Sequence, residues 1–173
     1  MADEVRDITI IGGGPTGLFA AFYAGLRGRS TRIVDGLPEL GGQMAALYPE
    51  KDVFDVGGFP RVLAKDLVRS LIEQGLQFGP EVVLGERVRA VIHEEVGFRL
   101  VGERDTYLSR TVILAGGKGS LEPMVLDAAG YDTLLDKGVA HSVKDPAAWA
   151  GKDVVVVGGG DSALDWTLIL KDN

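Results

Sequence analysis

Residues 8–17 read Ile-Thr-Ile-Ile-Gly-Gly-Gly-Pro-Thr-Gly, and the apolar run Leu18-Phe19-Ala20-Ala21-Phe22-Tyr23-Ala24 follows without a break. A short apolar strand therefore runs into Gly12, Gly14 and Gly17 at GxGxxG spacing and then into a helix. Each glycine has its own reason. Gly12 permits the sharp turn, Gly14 lets a pyrophosphate approach the backbone, and Gly17 lets the helix lie close to the strand. The helix start presents free N–H groups and the positive end of the helix dipole to the phosphates. A second β-like run from Ser30 to Val34 ends in Asp35. An acid about 20 residues past the fingerprint can accept hydrogen bonds from a ribose diol. Strand, glycines, helix, second strand and terminal acid together read as one dinucleotide-binding βαβ unit.

Composition narrows the remaining possibilities. The chain has 173 residues, 46% apolar and 25% charged, which are the proportions of a soluble globular protein with a core. No apolar run approaches the ~18 residues of a membrane span, and the start of the chain lacks a basic segment followed by an apolar one, so we expect a cytoplasmic protein without membrane contact. It has no cysteine. Disulfides, thiolate metal sites, iron–sulfur ligation and dithiol redox chemistry are therefore closed to this chain. A net charge of −7 without a basic cluster argues against nucleic acid as a partner. The two histidines, His93 and His141, are far apart, so we expect no metal site. Glycines cluster at 12–14, 41–42, 57–58, 116–117 and 158–160, joints where backbone turns sharply or meets a ligand.

Along the chain, Ile8–Ile11 is apolar at nearly every position, as in a parallel strand covered on both faces. The first helix should run from about Gly14 to Arg27 and stop near Gly28. Leu37–Pro60 is irregular, with two Gly pairs and three prolines, and has the character of a functional loop. Its Met44, Leu47, Tyr48, Val53, Phe54 and Phe59 could bury a large flat ligand. Lys65–Phe78 has helical periodicity in Leu67, Val68, Leu71, Ile72 and Leu76. The period then changes to two, and Val82–Leu84, Arg87–His93, Gly97–Val101 and Thr106–Leu108 read as an antiparallel meander. Thr111–Ala115 reads as another buried strand, and 118 to about 150 as a connecting region.

Asp153–Val157 repeats the opening theme, entering Gly158, Gly160 and Ala163 with a helix over Ala163–Leu170 behind them. This is a second fingerprint, of GxGxxA form. The two together imply two nucleotide sites and an α/β fold, a Rossmann-like three-layer domain of parallel sheet, helices and antiparallel β meander.

Asp7-Ile8-Thr9-Ile10-Ile11-Gly12-Gly13-Gly14-Pro15, Leu40-Gly41-Gly42-Gln43, Ala46-Leu47-Tyr48-Pro49-Glu50-Lys51 and Gly158-Gly159-Gly160-Asp161-Ser162-Ala163 resemble segments of the flavoprotein disulfide reductase superfamily. Within it they resemble the thioredoxin-reductase-like ferredoxin-NADP reductases. The resemblance covers the whole chain, and the Leu-Tyr-Pro-Glu-Lys segment is its most specific part. Thioredoxin reductases carry a Cys-x-x-Cys pair shortly before the second fingerprint. Here that interval, His141 to Ala150, holds no sulfur, and a relay by thiolate exchange is impossible.

The resemblance implies FAD at the first site. Gly12, Gly14, Pro15, Thr16 and Gly17 would hold its pyrophosphate and Asp35 its adenosine ribose. Gly42 and Gln43 would lie near the ribityl chain and flavin, Tyr48 would stack on the ring system, Val88 would meet adenine through its backbone, and Leu121 would stand at the start of the crossover. Gly158, Gly160, Asp161, Ser162 and Ala163 would receive the pyrophosphate of NADPH. The implied reaction moves electrons between NADPH and a ferredoxin or similar small carrier. The flavin carries the chemistry, so no side chain is expected as catalytic acid, base or nucleophile. Residues 1–117 would be the N-terminal part of an FAD-binding domain, and 118–173 a crossover and the first βα unit of a truncated NADPH-binding domain. The family also implies a homodimer for the full-length parent. Two other readings fit the same residues: a diaphorase reducing quinones through the same flavin, and a truncated nucleotide-binding chain without catalytic activity.

Overall fold

The computed structural model describes residues 4–119, 126–143 and 145–171. The chain divides into two compact units, Met1–Glu122 and Pro123–Asn173.

The first unit is built on β1 (Arg6–Ile11), α1 (Pro15–Leu26), β2 (Thr31–Val34), α2 (Gly42–Leu47), β3 (Asp52–Val53), β4 (Val62–Leu63), α3 (Ala64–Gly75), β5 (Glu81–Val83), β6 (Val88–Glu94), β7 (Gly97–Gly102) and β8 (Thr106–Leu114). Six strands form one sheet in the order β5-β2-β1-β8-β7-β6. β1 runs parallel to β2, with Ile10 opposite Ile33, and parallel to β8, with Ile10 opposite Ile113. Alternation along these strands sorts the side chains to two faces. Ile10 and Ile33 meet Leu18 and Ala21 of α1, with Leu71 and Ile72 of α3 beside them. Val34 turns the other way and packs with Leu100 of β7 and Tyr107 of β8. Ile10, Leu18, Ile33, Val34 and Leu100 are wholly buried, each side chain worth roughly 1.5–3 kcal/mol to folding. Helices, parallel sheet and meander thus make the three layers expected.

Two details of the sheet differ from the sequence reading. Glu81–Val83 belongs to the parallel edge beside β2, not to the meander. Thr106–Leu108 and Thr111–Ala115 are halves of one strand, β8, whose start pairs antiparallel with β7 and whose longer stretch pairs parallel with β1. Ser109 belongs to both ladders, opposite Phe98 and opposite Arg6. Ser109 and Arg110 lower the apolar period locally, which makes one strand read as two.

α1 ends as its glycine suggests. Gly28, at φ 67°, donates to the Gly25 carbonyl at 2.8 Å and Arg29 to the Ala24 carbonyl at 3.1 Å, the paired bonds of a Schellman stop. Leu37–Pro60 is more ordered than its composition suggests, since α2, β3 and the Tyr48–Lys51 turn all lie within it. Met44, Tyr48 and Val53 pack against Ala64, Leu67 and Val68, while Phe54 and Phe59 stay exposed. The apolar residues of this stretch therefore divide between core and surface.

On the face away from the helices a charge is buried. Arg32 is 1% exposed, donates through Nε to Glu81 at 2.9 Å and through its terminal nitrogens to the Leu108 and Glu4 carbonyls, and lies over the Tyr107 ring at 5.0 Å. Arg6 donates to the same Glu81 oxygen at 3.0 Å.

The second unit holds α4 (Tyr131–Leu134), a 3₁₀ turn at Pro146–Trp149 and α5 (Asp161–Lys171). Asp153–Val157, expected as a strand, forms none: it has no ladder partner among the described residues, and Val155 is 87% and Val157 70% exposed. An apolar run becomes a strand only when another strand accepts its N–H and C=O groups. The Tyr131 hydroxyl pairs with His141 Nε2 at 2.6 Å, and His93 meets the Phe98 ring edge-on.

Candidate functional site: a glycine-lined cradle at the strand ends

The site is assembled at the C-terminal ends of β1, β2 and β8. The Gly12 N–H donates to the Val34 carbonyl at 2.9 Å and the Ala115 N–H to the Ile11 carbonyl at 2.8 Å, which ties the three strand ends together. Gly12 turns there with φ 110°, and a Cβ on it would stand 2.3 Å from the Ala115 oxygen. A Cβ on Gly17 would stand 1.8 Å from the Gly12 oxygen, so α1 can begin this close to β1 only if position 17 is glycine. Both roles expected of these glycines are visible as steric facts.

The start of α1 is suited to an anion. Gly14, its N-cap, provides no side-chain cap, and Pro15 occupies the first turn, where its missing N–H costs nothing. Thr16 is exposed at this start, and a Cβ placed on Gly14 would meet Gly42 Cα at an ordinary contact distance of 3.7 Å. Orphan N–H groups and a helix dipole are features that hold a pyrophosphate.

Two more glycine pairs, distant in sequence, close on this turn. The Gly41 N–H donates to the Gly13 carbonyl at 2.9 Å, and a Cβ on Gly42 would come within 2.9 Å of Gly14 Cα. Gly117 lies beside Gln43, whose Nε2 is 3.2 Å from where a Gly117 Cβ would be. Of the glycine clusters, 12–14, 41–42 and 116–117 therefore line one place, whereas Gly57–Gly58 stands in open space.

Asp35 is buried at the end of β2. One carboxylate oxygen accepts the Gly13 N–H at 2.5 Å and the other the Leu37 N–H at 2.7 Å. A carboxylate has about four acceptor positions, so lone pairs remain for hydroxyl donors. The neighbouring segment is bonded on: Asp35 N–H to Val83 O, Glu86 N–H to Asp35 O and Gly85 N–H to Leu37 O, all within 2.9 Å. Val88 opens β6 just beyond it, half-buried.

Tyr48 caps α2 and is held by its neighbours. Lys65 N–H donates to Pro49 O, Ala64 N–H to Lys51 O, and Lys65 Nζ pairs with Glu50 at 2.9 Å, so the Tyr-Pro-Glu-Lys segment is fastened to the start of α3. The ring is half-buried among Met44 and its neighbours. Leu121 lies outside the described residues.

The second fingerprint is built differently. Gly158 has φ 147°, and a Cβ there would be 3.3 Å from the Ala163 Cβ, so glycine and alanine are close as in a GxGxxA turn. The Ala163 N–H returns to the Gly160 carbonyl at 2.9 Å. Asp161 and Ser162 are exposed in the first turn of α5. With no paired strand behind it among the described residues, this turn is not the tight strand–turn–helix of the first site.

Reading of the residues alone gives Gly13 no role beyond its place in the 12–14 cluster and does not single out Leu40 or Glu86. Gly13 matters through its N–H, Leu40 because a Cβ on Gly13 would meet it at 2.5 Å, and Glu86 through burial. None has a local signal, since their partners are remote in sequence.

The fold and this cradle define an α/β dinucleotide-binding protein. The chain matches the pyridine nucleotide-disulphide oxidoreductase family over residues 6–172, and it belongs to that family. It is 46% identical over 170 residues to a ferredoxin–NADP reductase of Halalkalibacterium halodurans, covering 98% of this chain and 52% of the relative. It is 49% identical over 173 residues to a ferredoxin–NADP reductase of Thermus thermophilus, covering 99% and 52%. The chain spans about half the length of the curated relatives it matches. Among solved structures, the thioredoxin reductase of T. acidophilum superposes with a TM-score of 0.79 at 26% identity, covering 98% of this chain and 54% of that one.

Proposed function

We propose that this chain is the FAD-binding half of an oxidoreductase that moves electrons between NADPH and a ferredoxin-like carrier. The observation that carries the reading is the convergence of Gly12–Gly17, Gly41–Gly42, Gly117 and Asp35 at the ends of three strands, a cradle that offers backbone N–H groups to a pyrophosphate and a carboxylate to a ribose. The identities of 46% and 49% to relatives named ferredoxin–NADP reductases support the choice of reaction.

In this reading the Thr16 and Gly17 N–H groups and the α1 dipole hold the pyrophosphate, and Gly14 lets it approach. Asp35 accepts from the adenosine ribose, with the Val88 backbone beside the base. Gly42 and Gln43 line the path toward the flavin, and Tyr48 provides an aromatic face. When bound, FAD supplies hydride acceptance and single-electron release, so the protein needs only to bind, orient and tune it. Gly158, Gly160, Asp161, Ser162 and Ala163 belong to the NADPH side. Residues 1–117 are the N-terminal part of the FAD-binding domain, and 118–173 the crossover and first βα unit of the NADPH-binding one. A chain without cysteine cannot carry a dithiol relay, which separates this reading from that of a thioredoxin reductase. A cytoplasmic homodimer is part of the proposal for the full-length parent.

The test is the visible absorption spectrum of the purified 173-residue protein, before and after anaerobic NADPH. Flavin bands supplied or taken up from added FAD support the FAD half of the reading, and bleaching by NADPH followed by electron delivery to a ferredoxin supports the rest. A colourless chain that takes up no FAD overturns it.

A further inference from the structure

Glu86 is a carboxylate buried to 1% exposure in the loop between β5 and β6, a few residues from the cradle, and no step above uses it. One side-chain oxygen accepts the Arg104 backbone N–H at 2.9 Å and the other the Arg104 Nε at 2.9 Å. The same guanidinium donates a third bond, at 2.9 Å, to the Leu84 carbonyl. The turn Gly102–Asp105 between β7 and β8 is thereby clamped onto residues 84–86. Room for the clamp comes from Gly102, where a Cβ would fall 2.3 Å from Glu86 Oε1.

The backbone of Glu86 faces the opposite way. Its N–H donates to the Asp35 carbonyl at 2.9 Å, and Gly85 donates to Leu37 at 2.8 Å. The two residues thus bracket the short stretch whose carboxylate grips Gly13 and Leu37. Arg104 holds Glu86, Glu86 holds the Asp35 backbone, and the Asp35 side chain holds the glycine turn. The clamp also continues toward Val88, since the Glu103 N–H donates to the Arg87 carbonyl at 3.1 Å.

We infer that Glu86, clamped by Arg104, is a positioning residue for the adenosine half of the dinucleotide: it sets Asp35 and the entry to β6 in the geometry that receives ribose and base. The inference rests on the FAD reading above and adds to it a residue that never touches the ligand. Charge supports the assignment. Burial pushes the Glu86 carboxyl up, but the Arg104 backbone and side-chain hydrogen bonds and the Arg104 charge outweigh it, so the group sits below the usual carboxylate range and stays ionised.

The experiment titrates the flavin-free 173-residue chain with FAD and, separately, with ADP, which carries the adenosine ribose and pyrophosphate alone. Glu86→Gln should weaken both ligands by the same factor, about tenfold, because the lost positioning lies in the half they share. In an Asp35→Asn background the same substitution should weaken FAD by clearly less than it does alone, about threefold, since one of the two groups it positions has lost its charge while the entry to β6 remains. Should Glu86→Gln fold poorly, Arg104→Ala removes only side-chain bonds at a residue whose side chain is 61% exposed, and should weaken both ligands about threefold with the same dependence on Asp35. Unchanged affinity, full additivity with Asp35→Asn, or loss for FAD without loss for ADP overturns the positioning role alone. Failure of the unsubstituted chain to bind FAD overturns the FAD assignment and the positioning role with it.

Discussion

The Asp35 carboxylate accepts the Gly13 N–H at 2.5 Å, joining the end of β2 to the glycine turn after β1. The acid expected to serve a ribose is thus also a structural part of the phosphate turn, and the two halves of a dinucleotide site are coupled through one side chain. Asp35→Ala should weaken FAD binding and leave the buried Gly13 N–H without its acceptor, lowering stability by roughly 1–3 kcal/mol even without ligand. Urea unfolding with and without FAD separates the two effects.

Gly17→Ala should be far more damaging than an ordinary helix substitution. Alanine is the better helix former, but its Cβ would stand 1.8 Å from the Gly12 oxygen, and that atom belongs to the backbone and cannot swing away. We expect α1 to be displaced, stability lost by about 3 kcal/mol or more, and nucleotide binding abolished. Thermal melting followed by circular dichroism reads this directly.

Thr9→Val should do the reverse. The Thr9 hydroxyl is wholly buried and has no hydrogen-bond partner among the described residues. Replacing it with a methyl group removes an unsatisfied polar atom at nearly constant volume and should stabilise by about 1 kcal/mol, visible as a higher urea midpoint at unchanged slope.

Glu81→Ala should destabilise strongly, because Arg32 would keep its charge in a site 1% exposed with its carboxylate partner gone. A cost of about 3 kcal/mol is expected. Arg32→Met in the same background should recover part of it, as measured by a double-mutant cycle.

Acid should loosen the first unit. Glu86 is held below the usual glutamate value of 4.5 and Asp7, through hydrogen bonds from the Ser30 backbone and side chain, below the usual aspartate value of 3.8. A folded-state value below the unfolded one means stabilisation that is full above the unfolded value and lost as pH falls through the folded one. Stability should therefore be flat above about pH 5 and decline below it. Glu86→Gln should flatten that decline.

Much of the first site can be read directly from the chain. The βαβ unit, the roles of Gly12 and Gly17 and the acid at Asp35 all appear where their spacing places them, because each depends on a handful of consecutive residues. The α2 turn was less legible, since a six-residue helix held by Gly41 and Gly42 has too few turns to show a period. β8 reads as two strands because Ser109 and Arg110 interrupt its apolar run, at the point where its partners change. Glu86 and Arg104 were silent, as an acid and a base 18 residues apart show no pattern until a turn brings them together.

Two apolar runs, Ile8–Ile11 and Val154–Val157, lead into glycine fingerprints that look alike in sequence, yet only the first is a strand. Sequence alone determined what is local: hydrophobic period, helix starts and stops, the absence of thiols, and the steric need for glycine at fixed spacings. Tertiary structure decided which runs found partners, which glycine clusters met, and which charges were buried. The physical reason is that a turn's conformation is a property of its own residues, whereas a β-ladder and a buried ion pair exist only when remote groups are brought within hydrogen-bonding distance.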